Sequence, residues 1–501
     1  MLFHQYFNRI ILAIYQPTLF TKLQFVDLDG TLIASDCLWE SFLIFLKKNP
    51  INGLVAIWWL LTGGKAQLKY RIAQKVSIDP SLLPYNSEVI ACIQEQKKLG
   101  ATIVLATASN KKFASEIAEY LNLFDDVIAS DESTNVRGST KKDILIDYAK
   151  GQEFTYYGNS TVDIPVWDAT SVAVVVSSSY QLVQKAKTHQ QRIHHIPVAA
   201  KFFSALIKQL RIYQWVKNVL IFIPLFLAHK VSPLLWLDGI LAFLAFGFAA
   251  SSVYVLNDLL DLESDRQHHR KKNRPFASGV LSIPFGLALF PVLFLVSFAI
   301  SALWLPPLFT LFLGVYLFIT TLYSFILKKL VIIDVLTLSW LYTHRVFAGA
   351  VATDTPISPW LLLFAIFLFL SLAFVKRYSE LLVAVEQNKT KPSGRGYFTT
   401  DTPLIASVGP ISGYLSVFVF FLYVNSPEVI ALYSFPMLLW LVGPLLLYWI
   451  SRIWIKTIRG NMHDDPIVFT MKDPISYIIG LCTLLIVTLA SILPNFTFFT
   501  R

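Results

Sequence analysis

The sequence predicts two bodies in one chain: an α/β domain with a parallel sheet and a small helical cap over residues 1–200, then an all-α bundle of about nine membrane-spanning helices over 201–501. Three observations carry that expectation. Apolar residues make up 55% of the 501 and charged residues only 15%, against roughly 25% charged in an ordinary globular protein. Up to about residue 200 charges are frequent and apolar runs short, and beyond it the pattern reverses. Within the first part, short apolar runs ending in polar turns alternate with segments of helical period, as in a parallel sheet flanked by helices. Such a composition excludes a disordered or fully soluble chain.

The strands are expected in TKLQFVDLDGT, ATIVLATASN, TYYGNS and SVAVVVSSS, with helices in SEVIACIQEQKKLG and KKFASEIAEYL between them. An insert near 36–85 contains INGLVAIWWLLTGG, whose apolar core falls short of the ~20 residues that span a bilayer. Two readings stay open for it. It is a buried cap helix, or an interfacial helix that leans Ile57, Trp58, Trp59, Leu60 and Leu61 on lipid.

Nine candidate spans begin near Val219, Leu235, Ile283, Leu308, Val331, Trp360, Ile405, Leu432 and Ile475. Connections after every second span carry the basic residues: Arg266 to Arg274, Lys328 and Lys329, Lys376 to Arg395, and Arg452 to Lys472. The positive-inside rule makes those connections cytoplasmic. An odd number of spans puts the N-terminal domain on the same side, so the expectation is a multi-pass protein of a bacterial inner membrane. The 42 Lys+Arg against 32 Asp+Glu, a formal +10, then reflect cytoplasmic loops and anionic ligands, with no nucleic-acid partner. Cys37, Cys92 and Cys482 lie too far apart for a zinc or disulfide framework. The opening stretch holds one short apolar run without a small-residue cleavage site, so no secretory signal is expected.

Asp27-Leu28-Asp29-Gly30-Thr31 stands where the strand LQFV ends. A carboxylate there can act as nucleophile, and a second one two residues on points the same way and can act as acid/base. Taken alone, the segment could also be a plain turn, the lesser of the two readings. Thr107 closes the strand IVLAT, Lys141 follows the turn VRGST, and Gly158-Asn159-Ser160 with Asp163 ends a further strand. Over residues 22–185 this order resembles the four motifs of the haloacid-dehalogenase-like (HAD) phosphatases. The resemblance implies that Asp27 attacks phosphorus to form an aspartyl-phosphate, while Asp29 protonates the leaving alcohol and then activates water. It also implies that Thr107 and Lys141 hold phosphate oxygens. Mg²⁺ would sit on Asp27, Asp29, Asn159 and Asp163, with Asn159 replacing the first acid of the fourth motif. Lys142 is a rival for Lys141, which the interval from Gly138 favours.

After the second span the chain reads Asn257-Asp258-Leu259-Leu260-Asp261-Leu262-Glu263-Ser264-Asp265. On one helix the three aspartates would share a face. They would repel one another unless a divalent ion bridged them to a polyphosphate; the bland alternative is a solvated helix end. His268, Lys271 and Arg274 follow as bases that could clasp the anion. With Arg274-Pro275-Phe276-Ala277-Ser278-Gly279 and Gln214-Trp215-Val216-Lys217-Asn218, the segment resembles the NDxxDxxxD and RPxASG signatures of the UbiA prenyltransferase superfamily, over about 205–495.

Aromatic prenyltransferases of that superfamily carry a second aspartate pair after the fourth span, where this chain has Asp334 but Leu338 four residues on. With Arg345, Gly349, Lys376, Arg377, Glu380 and Met462 to Phe469, the pattern resembles the decaprenyl-phosphate phosphoribosyltransferase branch. That resemblance implies phosphoribosyl pyrophosphate and polyprenyl phosphate as substrates and Mg²⁺ on Asp258, Asp261 and Asp265. It implies substrate contacts from Lys217, Asn257, His268, Lys271, Arg274, Tyr323, Lys328, Asp334, Arg345, Lys376 and Arg377, with the HAD domain removing the product's 5-phosphate. Two alternatives remain: an aromatic or quinone-precursor prenyltransferase using a polyprenyl diphosphate, and an inactive N-terminal domain that serves for membrane docking or regulation.

Overall fold

The computed structural model describes residues 20–132, 134–198, 202–392, 394–462 and 465–493. The chain forms two compact units, Met1–Gln209 with Val255–Leu289, and Leu210–Tyr254 with Phe290–Arg501. The acidic segment after the second span therefore groups with the N-terminal unit, which composition alone did not indicate.

In the first unit, β1 (Leu23–Val26), β2 (Thr102–Asn110), β3 (Asp126–Ser130), β4 (Phe154–Gly158), β5 (Val172–Val176) and β6 (Ile193–Ile196) form one six-stranded sheet in the order β3-β2-β1-β4-β5-β6. All neighbouring pairs are parallel. Both faces are covered, which is why β5 reads as an unbroken VAVVV and is buried throughout. Val26, Ile103 and Leu105 face one apolar core, and Phe25, Val104 and Ala106 the other. Gln24, buried in β1, is satisfied: its amide donates to Gln96 at 3.1 Å and accepts from the Tyr157 hydroxyl at 2.8 Å. The strand order reverses beside β1, so the carboxyl ends of β1 and β4 frame the crevice where such sheets bind ligands.

The cap consists of α1 (Cys37–Lys48), N-capped by Asp36, and α2 (Asn52–Lys75), which breaks at Gly64 with φ 68°. Further along come α3 (Ser87–Lys98), α4 (Lys111–Leu121) and α5 (Gly138–Ala149). The insert combines the two expected readings. Ala56, Trp59, Leu68 and Ile72 of α2 are core, with Trp59 stacked on Phe45 at 5.5 Å. Leu54, Ile57, Trp58, Leu60 and Leu61 are exposed. Trp59 therefore does not belong to the outward set in which the sequence placed it: a helix that packs one face against the sheet domain has to turn one of two adjacent tryptophans inward.

Among the described residues, eight helices are long and apolar enough to cross a membrane: Phe202–Leu227, Pro233–Leu260, Ile283–Trp304, Pro307–Phe325, Pro359–Glu386, Thr399–Val424, Pro436–Ile458 and Pro474–Ile492. The ninth expected span is present as the helix Ile333–Ala352 but is too polar to be counted with them. Its Asp334, Thr337, Ser339, Thr343, His344 and Arg345 are all buried within the second unit. A helix surrounded by other helices can hold polar side chains that a lipid-facing one cannot. Pro291 and Pro410 lie inside spans, where neighbouring helices re-satisfy the backbone.

Candidate active sites

The first site grows from the turn after β1. Leu28, Leu32 and Ile33 are fully buried and pin the turn, leaving Asp27 and Asp29 directed into a cavity of about 290 Å³. Gly30 turns the chain with φ +75°, and a Cβ there would lie 2.1 Å from Asn159 Nδ2. Lys141, in the first turn of α5 and buried, donates to Asp27 Oδ1 at 2.9 Å and to the Tyr156 hydroxyl at 2.9 Å. The Tyr156 hydroxyl in turn donates to Asp163 Oδ1 at 2.9 Å. Burial pushes Asp27 up to about 7 even against the Lys141 charge. Burial and the Asp29 charge likewise raise Asp36, which also lines the cavity, to about 6. Lys142 points elsewhere, to Asp143 at 3.6 Å.

Three of the expected site residues have hydrogen-bond partners within the protein. Asp163 Oδ2 accepts from Asn159 N, Ser160 N and Ser160 Oγ at 3.1, 2.9 and 3.1 Å. With Tyr156 on the other oxygen, Asp163 takes four donors and shapes the loop at the cavity's edge. Thr107 is fully buried and accepts from Ser109 N at 3.0 Å, so it stabilises the turn, while Ala108 lines the cavity. Asp29 is held by Cys37 N at 2.9 Å and by the Ser109 hydroxyl at 2.5 Å, as an oriented acid/base more than as a free ligand. Among the described residues no three His, Cys, Asp or Glu side chains gather to hold a metal alone. The set that remains, the Asp27 carboxylate and the Asn159 amide, suits Mg²⁺, which takes one or two carboxylates and completes its shell with water and substrate phosphate. Sequence reasoning missed Ser109, Tyr156, Asp36, Lys65, Lys69 and Arg137. For Ser109 a signal existed, two residues past Thr107 and thus on the same side of the strand end.

The acidic segment is not one helix. Pro233–Leu260 ends, Asp261 breaks the geometry with ψ 12°, and Leu262–Gln267 follows. Asp258 and Asp265 do share one side, as expected, whereas Asp261, at the interruption, is turned to the surface. Asp258 and Asp265, 4% and 2% exposed, share the Arg274 guanidinium at 2.9 and 2.6 Å, and Gln209 donates to Asp258 at 3.0 Å. Asp261 is exposed and Asn257 half-buried. Burial raises Asp265 above the usual carboxylate range despite Arg274. His268 accepts from Arg270 N and Lys271 N at 3.2 and 3.4 Å, closing a turn, and its imidazole is shifted down by burial and by Lys271. Lys271 is exposed. Two buried carboxylates share one guanidinium, so the trio of Asp258, Asp265 and Arg274 keeps one formal negative charge.

The second unit gathers charges in two groups. Lys217 and Lys376 meet at Asp465 Oδ2, at 2.9 and 3.3 Å. Against the upward push of burial, the Lys376 and Lys217 charges hold Asp465 well below the ordinary carboxylate range. In the other group, Arg377 and Asp334, both 0% exposed, approach to 2.6 Å. Tyr397 donates to Asp334 at 2.9 Å, and Glu380 receives Arg377 and, at 3.1 Å, Arg395. Arg395 also reaches the Tyr323 hydroxyl at 3.2 Å. Arg345 is buried, donates to Asn218 Oδ1 at 3.0 Å and to the Tyr316 hydroxyl at 3.1 Å, and stacks on that ring at 4.8 Å. Lys328 is half-buried. His463 and Asp464, noted in the sequence, lie outside the described residues. Sequence reasoning did not single out Asp465, Asn218, Tyr316, Arg395 or Tyr397 as site residues.

Comparison with known proteins adds four findings. Residues 218–472 match the UbiA prenyltransferase family. The chain is 36% identical over 461 residues to the uncharacterized protein y4nM of Sinorhizobium fredii, over 91% of this chain and 88% of that one. It is 36% identical over 199 residues to the decaprenyl-phosphate phosphoribosyltransferase of Mycobacterium tuberculosis, over 37% of this chain and 63% of that enzyme. A solved HAD-family hydrolase from Salmonella enterica is similar over 38% of this chain and 75% of its own, at 13% identity and a TM-score of 0.27.

Proposed function

The chain belongs to the UbiA prenyltransferase family, and on that premise we propose that it is a two-step enzyme of lipid-linked sugar synthesis in a bacterial cell envelope. Its N-terminal unit is HAD-like, with the nucleophile turn after β1 and its lysine partner in place. In the first step, 5-phosphoribosyl passes from phosphoribosyl pyrophosphate to a polyprenyl phosphate at the cytoplasmic membrane face. In the second, the N-terminal domain removes the 5-phosphate.

The observation that carries the phosphoribosyl reading is the state of Asp334. A polyprenyl diphosphate donor would call for a second acidic metal site there. Leu338 replaces one acid, and Asp334 is locked between Arg377 and Tyr397, its charge spent inside the protein. This favours phosphoribosyl transfer over the aromatic prenyltransferase reading. The relationship to the mycobacterial enzyme supports the same choice.

In the transfer step the C1–O bond to pyrophosphate breaks and the lipid phosphate oxygen forms the new C1–O bond. Bound Mg²⁺ supplies charge neutralisation for the leaving pyrophosphate. Asp258 and Asp265 of the first unit would hold that cation and Arg274 would clasp the pyrophosphate, while Lys217 and Lys376 of the second unit would attract the acceptor phosphate. In the hydrolytic step Asp27 attacks phosphorus while Asp29 gives its proton to the departing sugar oxygen. Asp29 then takes a proton from the water that cleaves the aspartyl-phosphate. Lys141 neutralises phosphate oxygens as it leaves Asp27, and Asp27 with Asn159 would hold Mg²⁺.

The test is to incubate the purified protein with phosphoribosyl pyrophosphate, polyprenyl phosphate and Mg²⁺ and follow lipids by mass spectrometry. Dephosphorylated lipid-linked ribose is expected, and Asp27→Asn should accumulate the 5-phosphate form. No ribosyl lipid, together with prenylation of an aromatic acid from a polyprenyl diphosphate, would refute the reading.

A further inference from the structure

The cavity over Asp27 is lined by four cations and by four carboxylates, Asp27, Asp29, Asp36 and Asp163. Besides Lys141, its lining includes Lys65, Lys69 and Arg137. They come from two places in the fold. Lys65 and Lys69 stand one turn apart on α2, just past its break at Gly64, and Arg137 directly precedes α5. Lys69 Nζ donates to the Ala108 carbonyl at 2.8 Å, which aims the ammonium without neutralising it. Among the described residues none of the three is in an ion pair.

The acids in the same cavity have other partners. Asp27 pairs with Lys141, Asp29 accepts from Cys37 N and Ser109, Asp36 caps α1, and Asp163 is filled by its own loop and Tyr156. Lys69 also acts on Asp36 through its charge, but none of the three cations lining the cavity is held in an ion pair, which leaves them available to an anion. The volume agrees. About 290 Å³ lies at the lower end of the ~300–1,000 Å³ of small-molecule sites and exceeds what a lone phosphate fills. Leu38 and Trp39 of α1 add an apolar lining on which a sugar ring can rest.

Resting on the reading of this pocket as a phosphomonoesterase site, we propose that Lys65, Lys69 and Arg137 form a subsite for a second phosphate. The substrate is then a sugar phosphate that carries, besides the ester to be cleaved, another phosphate some bonds away. A lipid phosphodiester and a free sugar bisphosphate share that chemistry.

The test uses the full-length protein in detergent with Mg²⁺ and three probes: ribose 5-phosphate, ribose 1,5-bisphosphate and polyprenyl-phosphoryl ribose 5-phosphate. The readout is kcat/KM for phosphate release and its ratio between probes. A second phosphate should raise kcat/KM about tenfold or more over ribose 5-phosphate, as expected for charge-assisted hydrogen bonds. A gain with the bisphosphate as well as the lipid makes the phosphate itself the recognised group, whereas a gain with the lipid alone identifies the diester. Lys65→Ala, Lys69→Ala and Arg137→Ala should each pull the ratio towards one, and Lys65→Arg should keep it. A ratio of one in the unmodified protein, or a parallel loss on all probes in the variants, overturns the subsite. No phosphate release from any probe overturns the phosphomonoesterase reading itself, and the subsite with it.

Discussion

Asp27 is a buried carboxylate whose nearest partner, Lys141, does not fully offset its burial. Its folded value of about 7 lies above the ~3.9 of an unfolded chain. Between those values the native state keeps a proton that the unfolded chain has lost. Stability from this group is therefore gained as pH falls through 7 and missing above it. Metal-free protein should unfold at a higher temperature at pH 6 than at pH 8, and Asp27→Asn should flatten that slope; a slope that survives the substitution would place the titration elsewhere. Gly30 offers a second test. Its φ is +75°, and a Cβ added to it would stand only 2.1 Å from Asn159 Nδ2, so Gly30→Ala should push Asn159 aside. We expect at least a tenfold rise in the Mg²⁺ needed for half-maximal phosphate release, on the scale of disturbing a ligand's support. The identities of Asp27, Asp29, Lys141 and Asn159 were legible in the sequence because each stands at a strand end or beside a turn. The saturation of Asp163 was not, because it depends on the Tyr156 hydroxyl and on where one loop folds its own amides.

At the scale of elements, α2 shows what an apolar run leaves undecided. INGLVAIWWLLTGG has the composition of an interfacial segment, but the helix continues to Lys75 and packs Trp59 under its Arg71. Which of two adjacent tryptophans faces inward depends on the helix's rotation against the sheet domain. Trp59→Ala should cost about 3–5 kcal/mol in unfolding experiments, as for large core aromatics. Trp58 is 59% exposed, and its change to Ser should stay within about 0.5 kcal/mol. β6 ends at Ile196, a short link before the first span begins at Phe202, so this domain is tethered at the bilayer. Trp58→Ser should therefore lower turnover of a lipid-linked phosphomonoester in vesicles while sparing ribose 5-phosphate; equal effects on both would remove any lipid role from this face.

At the scale of the molecule, the N-terminal unit includes the UbiA signature segment Val255–Leu289. The link between that segment and the sheet domain is concrete. Arg266 donates both terminal nitrogens to Glu40, at 3.1 and 2.7 Å, and its Nε to the Ala277 carbonyl at 2.9 Å. Both side chains of the pair are nearly inaccessible, and Glu40 also takes the Ser35 hydroxyl. Gly279, with φ +75°, lies so close that a Cβ would come within 2.2 Å of the Ala34 carbonyl oxygen. None of this was legible beforehand: Arg266 reads as one more basic loop residue, and Glu40 stands 226 positions away. The turn Gly30–Asp36 that leads out of the cavity at Asp27 thus touches the segment bearing Asp258 and Asp265. Removing one partner leaves a buried charge uncompensated, at about 3–5 kcal/mol. Arg266→Ala and Glu40→Ala should each lower the unfolding temperature and depress both transfer and phosphate release, although neither residue touches a reacting group. The double change of Glu40 to Leu and Arg266 to Met removes both charges at similar volume and should recover most of the stability. If it also recovers both activities, the pair serves only to hold the two parts together. If stability returns while either activity stays low, the ion pair itself aligns that site; and a single variant that harms one activity alone would show that the two sites work independently.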